Sequence, residues 1–228
     1  MKRVALFASG GGSNLGALVD YLDALGPDQA PATVALVVTD RATAGALGRA
    51  ERCGIATITV DDPSDAANLL EILTDHRVQL IVLAGYLKLV PKPVTTAFAG
   101  RIVNVHPALL PRHGGPGMYG IRVHRAVVAA GDPESGATVH FVDAEYDRGT
   151  TIVQARVPVM PGDTAESLAA RVLAAEHFIL PRAVHAIAEG LVTLQPDGSV
   201  LILPYADSIF ASAPAGLTLS LATTARSA

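Results

Sequence analysis

The sequence predicts an open α/β fold with a mainly parallel sheet, and three observations carry that reading. Short apolar runs such as Val4 to Ala8 and, but for Gln79, Val78 to Ala84 have the pattern of strands buried on both faces. Such runs alternate with segments whose apolar residues recur at helical spacing, four times within the first 85 residues. A glycine turn, Ser9-Gly-Gly-Gly-Ser-Asn14, follows the first run, where folds of this class pass from strand to helix.

In order, the strand Val4 to Ala8 leads through that turn into a helix with Leu15, Leu18, Val19 and Leu22 on one stripe. Thr33 to Val38 is the second strand and Asp40 to Arg52 the second helix, with Asp40 as its N-cap and Cys53 a small buried residue at its end. Ile55 to Val60 is a strand, residues 61–65 a turn and cap, and Ala66 to Asp75 a helix. Val78 to Ala84 then leads into Gly85-Tyr-Leu-Lys-Leu-Val-Pro91. Ala137 to Val142 and Ile152 to Val157, joined by an acidic loop, read as an antiparallel pair added to the parallel sheet. Asp163-x-x-Glu166 reads as a capping box for a helix with Leu168, Val172, Ala175 and Ile179 on one stripe, which Pro181 should kink or end. Residues 192–194 and 200–203 suggest a small hairpin, and the chain from Tyr205 reads as a loosely packed extension. The organisation expected is a catalytic domain over residues 1–190, with helices on both faces of the sheet, and a hairpin and extension over 191–228.

Composition narrows the function classes. The chain has 228 residues, half of them apolar, and a formal net charge of −4. That charge argues against nucleic acid or an anionic membrane as the main partner. One cysteine excludes an internal disulfide, and the apolar run after Met1 breaks into glycines too early for a leader or a membrane span. The expected setting is cytoplasmic, the expected ligands are small molecules, and a monomer or a homodimer is compatible with either.

The chemistry concentrates in Arg101-Ile-Val-Asn-Val-His-Pro107. Residues two apart on a strand share a face, so Asn104 and His106 project together, and Pro107 stops the strand with His106 at its carboxyl rim. Taken alone, His106 could equally be a histidine satisfied by a backbone carbonyl. Asp143, Glu145 and Asp147 could be plain turn chemistry, or one carboxylate could meet His106 and raise its pKa. Gly12, Ser13 and Asn14 could cradle a phosphate on backbone N–H groups at a helix start, although strand-to-helix packing alone would also favour glycine there. Leu87, Lys88, Leu89 and Val90 could wall a slot for a flat organic ligand, or plug the core with Lys88 in solvent. Glu176 lies at the edge of a buried helix face and needs a partner. His113, His124 and the distant cysteine lack metal-ligand spacing, so no metal is expected.

The motifs Ser9-Gly-Gly-Gly-Ser-Asn-Leu15, Val82-Leu-Ala-Gly-Tyr86, Asn104-Val-His-Pro-Ala-Leu-Leu-Pro111, Thr138-Val-His-Phe-Val142 and Asp147-x-Gly149 occur in that order. Together, over roughly residues 1 to 195, they resemble the folate-dependent formyltransferases, in particular the branch acting on glycinamide ribonucleotide. The resemblance implies a Rossmann-like formyltransferase fold, 10-formyltetrahydrofolate as formyl donor and phosphoribosylglycinamide as acceptor. It implies a catalytic trio of Asn104, His106 and Asp147, with His106 held protonated by Asp147, and a phosphate loop of Gly12, Ser13 and Asn14. It implies folate contacts from Leu87, Lys88, Leu89, Val90 and Asn104 and from Asp143, Ala144, Glu145, Tyr146 and Asp147, and places Glu176 near the substrate amine. This sequence departs from the pattern in its acidic turn at residues 61–65, where the family often carries an arginine, and in a longer loop at residues 112–120. A methionyl-tRNA formyltransferase would carry an added RNA-binding domain and a more basic surface. A formyltetrahydrofolate hydrolase would carry an N-terminal regulatory domain. A non-catalytic phosphometabolite-binding protein would have no use for the trio.

Overall fold

A computed structural model describes residues 1–222. The chain alternates as predicted: β1 (Lys2–Phe7), α1 (Ser13–Leu25), β2 (Ala32–Thr39), α2 (Gly45–Arg52), β3 (Ala56–Thr59), α3 (Ala66–Asp75) and β4 (Leu80–Ala84). There follow α4 (Lys92–Ala97), β5 (Ile102–His106), α5 (Ile121–Ala130), β6 (Glu134–Phe141), β7 (Thr151–Pro158) and α6 (Ala165–Ala188). A two-stranded hairpin, β8 (Val192–Leu194) with β9 (Val200–Ile202), precedes α7 (Ala206–Phe210) and β10 (Thr218–Leu221).

The eight-stranded sheet runs β10-β7-β6-β5-β4-β1-β2-β3. Strands β1 to β5 pair in parallel, and β6, β7 and β10 add antiparallel. The chain leaves β1 toward β2 on one side and later returns through β4 on the other. The carboxyl end of β1 is therefore the topological switch point where sheets of this kind bind ligands. Strand alternation splits the core in two. Val4 and Leu6 face a cluster with α1 and α6, while Ala5 and Phe7 face a second cluster with α3 and α4. Burying Leu6 and Phe7 completely stabilises the fold by roughly 1.5–3 kcal/mol each.

Several local expectations are corrected. Helix α2 starts only at Gly45, with Ala44 at its N-cap, because Asp40 lies a turn too early; the Asp40 side chain is instead 3.7 Å from Arg41 Nε. Cys53 is exposed just past α2. The α6 capping box is Thr164 with Ser167; Asp163 accepts from Ser167 Oγ and Arg171 rather than capping the helix. Pro181 lies inside α6 without ending it, since Phe178, Ile179, Leu180, Ala183 and Val184 around it are all buried and hold the helix to the sheet. The tail is also better anchored than expected. Ala206 and Phe210 are buried and β10 extends the sheet beside β7; residues 223–228 lie outside the described residues. Among the described residues, no helix is long and apolar enough to cross a membrane.

Candidate active site

Strand β5 ends at the rim as the sequence predicts. Its neighbours on one side, Val103 and Val105, enter the core with α6, which turns Asn104 and His106 toward the other face. The antiparallel register sets His140 of β6 opposite Asn104. Asn104 Nδ2 lies 3.1 Å from His140 Nε2 and donates to Asp147 Oδ1 at 3.3 Å. His140 Nδ1 lies 2.8 Å from the Phe141 carbonyl, which can only accept. Nδ1 therefore carries a proton toward that carbonyl, and Nε2 faces both Asn104 and Asp147 Oδ1, the latter 3.7 Å away.

The acidic loop brings Asp147 to His106, with Oδ2 3.5 Å from Nδ1. The other ring nitrogen, Nε2, bonds the His113 carbonyl at 2.8 Å, so it carries the proton and Nδ1 is left facing the carboxylate. Both readings weighed for His106 thus hold together, a carbonyl partner on one nitrogen and a carboxylate on the other. Gly115 N–H donates to Asp147 Oδ2 at 2.9 Å. Burial pushes His106 below its ordinary value of 6.5, outweighing the upward pull of Asp147 and of the His113 carbonyl. Burial thus works against the protonation that Asp147 was expected to favour. Burial also pushes the Asp147 carboxyl up. His140, His106 and the Gly115 N–H together hold it below the usual carboxylate value, so it remains ionised.

A second cluster forms at the switch point. Gly12 takes a left-handed φ of 70° at the N-cap of α1, and no side chain caps the helix. No acidic residue occupies its first turn, so the opening N–H groups and the positive end of the helix dipole are left to an anion. Asn14 is buried and donates from Nδ2 to Glu176 Oε2 at 2.7 Å, while its Oδ1 has no partner among the described residues. Glu176 therefore sits against the phosphate-loop residue. Burial pushes its carboxyl up to about 7, although Asn14 pulls the other way.

That carboxyl predicts a pH dependence of stability. With its value raised from 4.5 to about 7, the folded state keeps a proton that the unfolded state has lost. The contribution is complete below about pH 4.5 and disappears as pH rises through about 7, a change of about 3 kcal/mol at most. Urea unfolding of wild type and Glu176→Gln at pH 4.5 and pH 8 should show the gap between them moving in the variant's favour at pH 8. A constant gap would contradict the assignment.

Both clusters line one cavity of about 530 Å³, within the range of small-molecule sites. Gly12, Ser13, Asn14 and Glu176 line it, as do Leu87, Lys88, Leu89, Val90, Asn104 and His106. Leu87 N–H donates to Ser9 Oγ at 3.0 Å, tying that wall to the glycine turn. Of the acidic loop, Glu145, Tyr146 and Asp147 reach the cavity. Asp143 and Ala144 do not line it, and the Asp143 carboxylate closes a turn on the Glu145 N–H at 2.9 Å. Sequence reasoning missed His140 as a site residue, and it missed Arg41, which also lines the cavity. The signal for His140 was available only through the β5–β6 register.

The open α/β sheet thus brings an uncapped helix start and an amide–imidazole–carboxylate set into one switch-point cleft, the equipment of a group-transfer enzyme. The chain belongs to the formyl transferase family, whose model matches residues 2–184. It is similar to the chloroplastic phosphoribosylglycinamide formyltransferase of Arabidopsis thaliana, 40% identical over 88% of this chain and 70% of that protein. It is similar to the Haemophilus influenzae phosphoribosylglycinamide formyltransferase, at 36% over 86% and 92%. The solved glycinamide ribonucleotide transformylase 1 of Symbiobacterium toebii superposes with a TM-score of 0.80 at 41% identity, covering 89% of this chain and 94% of that one.

Proposed function

We propose that this protein transfers the formyl group of 10-formyltetrahydrofolate to the amine of 5′-phosphoribosylglycinamide. The observation that carries the reading is the sharing of one cavity by an anion cradle and by the Asn104–His106–Asp147 set. The acceptor's phosphate would lie on the backbone N–H groups of Gly12, Ser13 and Asn14, with Asn14 and Glu176 beside its sugar or amine. The pterin would lie between Leu87–Val90 and the turn carrying Glu145, Tyr146 and Asp147. A non-catalytic phosphate binder would need the cradle but not the trio.

The residues suggest a sequence of proton transfers. The amine attacks the formyl carbon and charge builds on the formyl oxygen. Asn104 turns its amide toward that oxygen by giving up its longer bond to Asp147. Neutral His106 accepts the amine proton at Nδ1, and Asp147 stabilises the imidazolium so formed. The same proton then passes to the folate nitrogen as the carbon–nitrogen bond breaks, which restores the neutral ring. Formyl-glycinamide ribonucleotide and tetrahydrofolate leave, and atoms and charge balance without a metal or redox step.

The experiment is a spectrophotometric assay of folate product with purified protein and both substrates, run alongside acceptors that lack the phosphate or the amine. Turnover that requires both groups is expected; turnover independent of the amine would point to hydrolysis of the donor instead. Gly12→Ala tests the cradle. A Cβ there would lie 2.7 Å from the Ala46 backbone, at a φ of 70° that side chains rarely adopt. The KM for phosphoribosylglycinamide should rise about tenfold or more with the folate KM little changed, given a strain of roughly 1–3 kcal/mol. An unchanged acceptor KM would remove the cradle from the account.

A further inference from the structure

We infer that Asp132, outside the cavity, is a positioning residue for the catalytic pair. It acts by anchoring the Arg112–His113 turn, whose backbone grips both His106 and Asp147. The inference rests on the proposed function and deepens it. Asp132 is buried just past the end of α5, and its Oδ2 lies 2.6 Å from His113 Nε2 while Oδ1 pairs with Arg112. The His113 bond holds its carboxyl below the usual range, so it remains an ionised anchor. From that anchor the chain turns through His113, whose φ of 54° is a left-handed conformation that a side-chained residue keeps only when its surroundings hold it there.

The consequences fall on the active site. The His113 carbonyl accepts from His106 Nε2, and two residues on the Gly115 N–H donates to Asp147. The turn thereby fixes which nitrogen of His106 carries the proton and how far Asp147 stands from the other. Gly114 between them allows the close approach, since a Cβ there would lie 2.5 Å from Leu110 and 3.2 Å from the Asp147 side chain. Arg112, His113 and Asp132 line a separate, smaller cavity of about 150 Å³ and not the active-site one, so contact with the reacting molecules does not account for the arrangement. His106 is also faced by His140 and His124, and neither of these depends on the anchor.

The test compares wild type with Asp132→Asn and His113→Ala, each checked for native melting. Steady-state kinetics are measured with both substrates, and the tautomer of His106 by ¹⁵N resonances of its ring. Each variant should lose about tenfold in kcat with both KM values within about twofold, and the ring should change from one Nε2–H tautomer to a mixture. The double variant should be no worse than the poorer single, because both break one chain of contacts. A kcat within about twofold of wild type in a folded variant overturns the inference, as does a loss carried by KM with the tautomer unchanged. If Asp132→Asn does not fold, His113→Ala decides alone, since it keeps the backbone carbonyl and removes only the anchor. A wild-type protein without formyl transfer would instead end the proposed function.

Discussion

His106→Ala lowers kcat for formyl transfer by on the order of 10² or more, with the KM of each substrate little changed. The argument is geometric. Apart from His140, whose Nδ1 is committed to a carbonyl and whose Nε2 faces Asn104, His106 is the one imidazole lining the cavity among the described residues. Its Nδ1 is the only ring nitrogen there with a carboxylate beside it and no donor on it. Its removal leaves the attacking amine without a base and the departing folate nitrogen without an acid, while the phosphate cradle and the pterin walls are untouched. The pH profile follows from the same ring. The base works only unprotonated, so kcat/KM should fall as pH drops through a value below the ordinary 6.5 and lie flat above it on this account. A limb that persists unchanged in Glu176→Gln belongs to His106 rather than to that carboxyl.

Asp147→Asn carries the second large effect, also on the order of 10² or more in kcat. The substitution keeps the volume and one acceptor for the Gly115 N–H, so the turn can hold its shape. It removes the charge that stabilises the imidazolium, since the position that faces His106 Nδ1 and accepts from Gly115 then holds a neutral amide oxygen. The loss should appear in single-turnover formation of formylated product as well as in kcat, since the defect is in chemistry and not in product release. A variant slowed only in the steady state would contradict that account.

Much of this was legible in the sequence because it is local. The period of two in β5 placed Asn104 and His106 on one face, and Pro107 marked the rim. The glycine turn after β1 and the acidic loop before Gly149 each announced themselves by composition. What was not legible depends on registers and burial between distant segments. His140 enters the site only because β6 pairs with β5 antiparallel and in that register. The downward push on the His106 pKa reflects how deeply the ring is buried, and the spacing of charges could not convey that depth. Asp132 contacts the turn from 19 residues away along the chain, through a loop whose path no periodicity encodes. Pro181 misled because the packing around α6 outweighs one missing hydrogen bond, and β10 was missed because its alternation of exposed and half-buried residues runs for only four positions.

The claim that one cleft joins an anion cradle to the proton-transfer pair is tested most directly by a crystal structure with phosphoribosylglycinamide and a folate analogue that cannot give up a formyl group. The account predicts the phosphate on the N–H groups of Gly12 to Asn14, and the amine within reach of the formyl position beside His106 Nδ1 and Asn104. A phosphate bound elsewhere, or an amine separated from His106 by the folate itself, would contradict it.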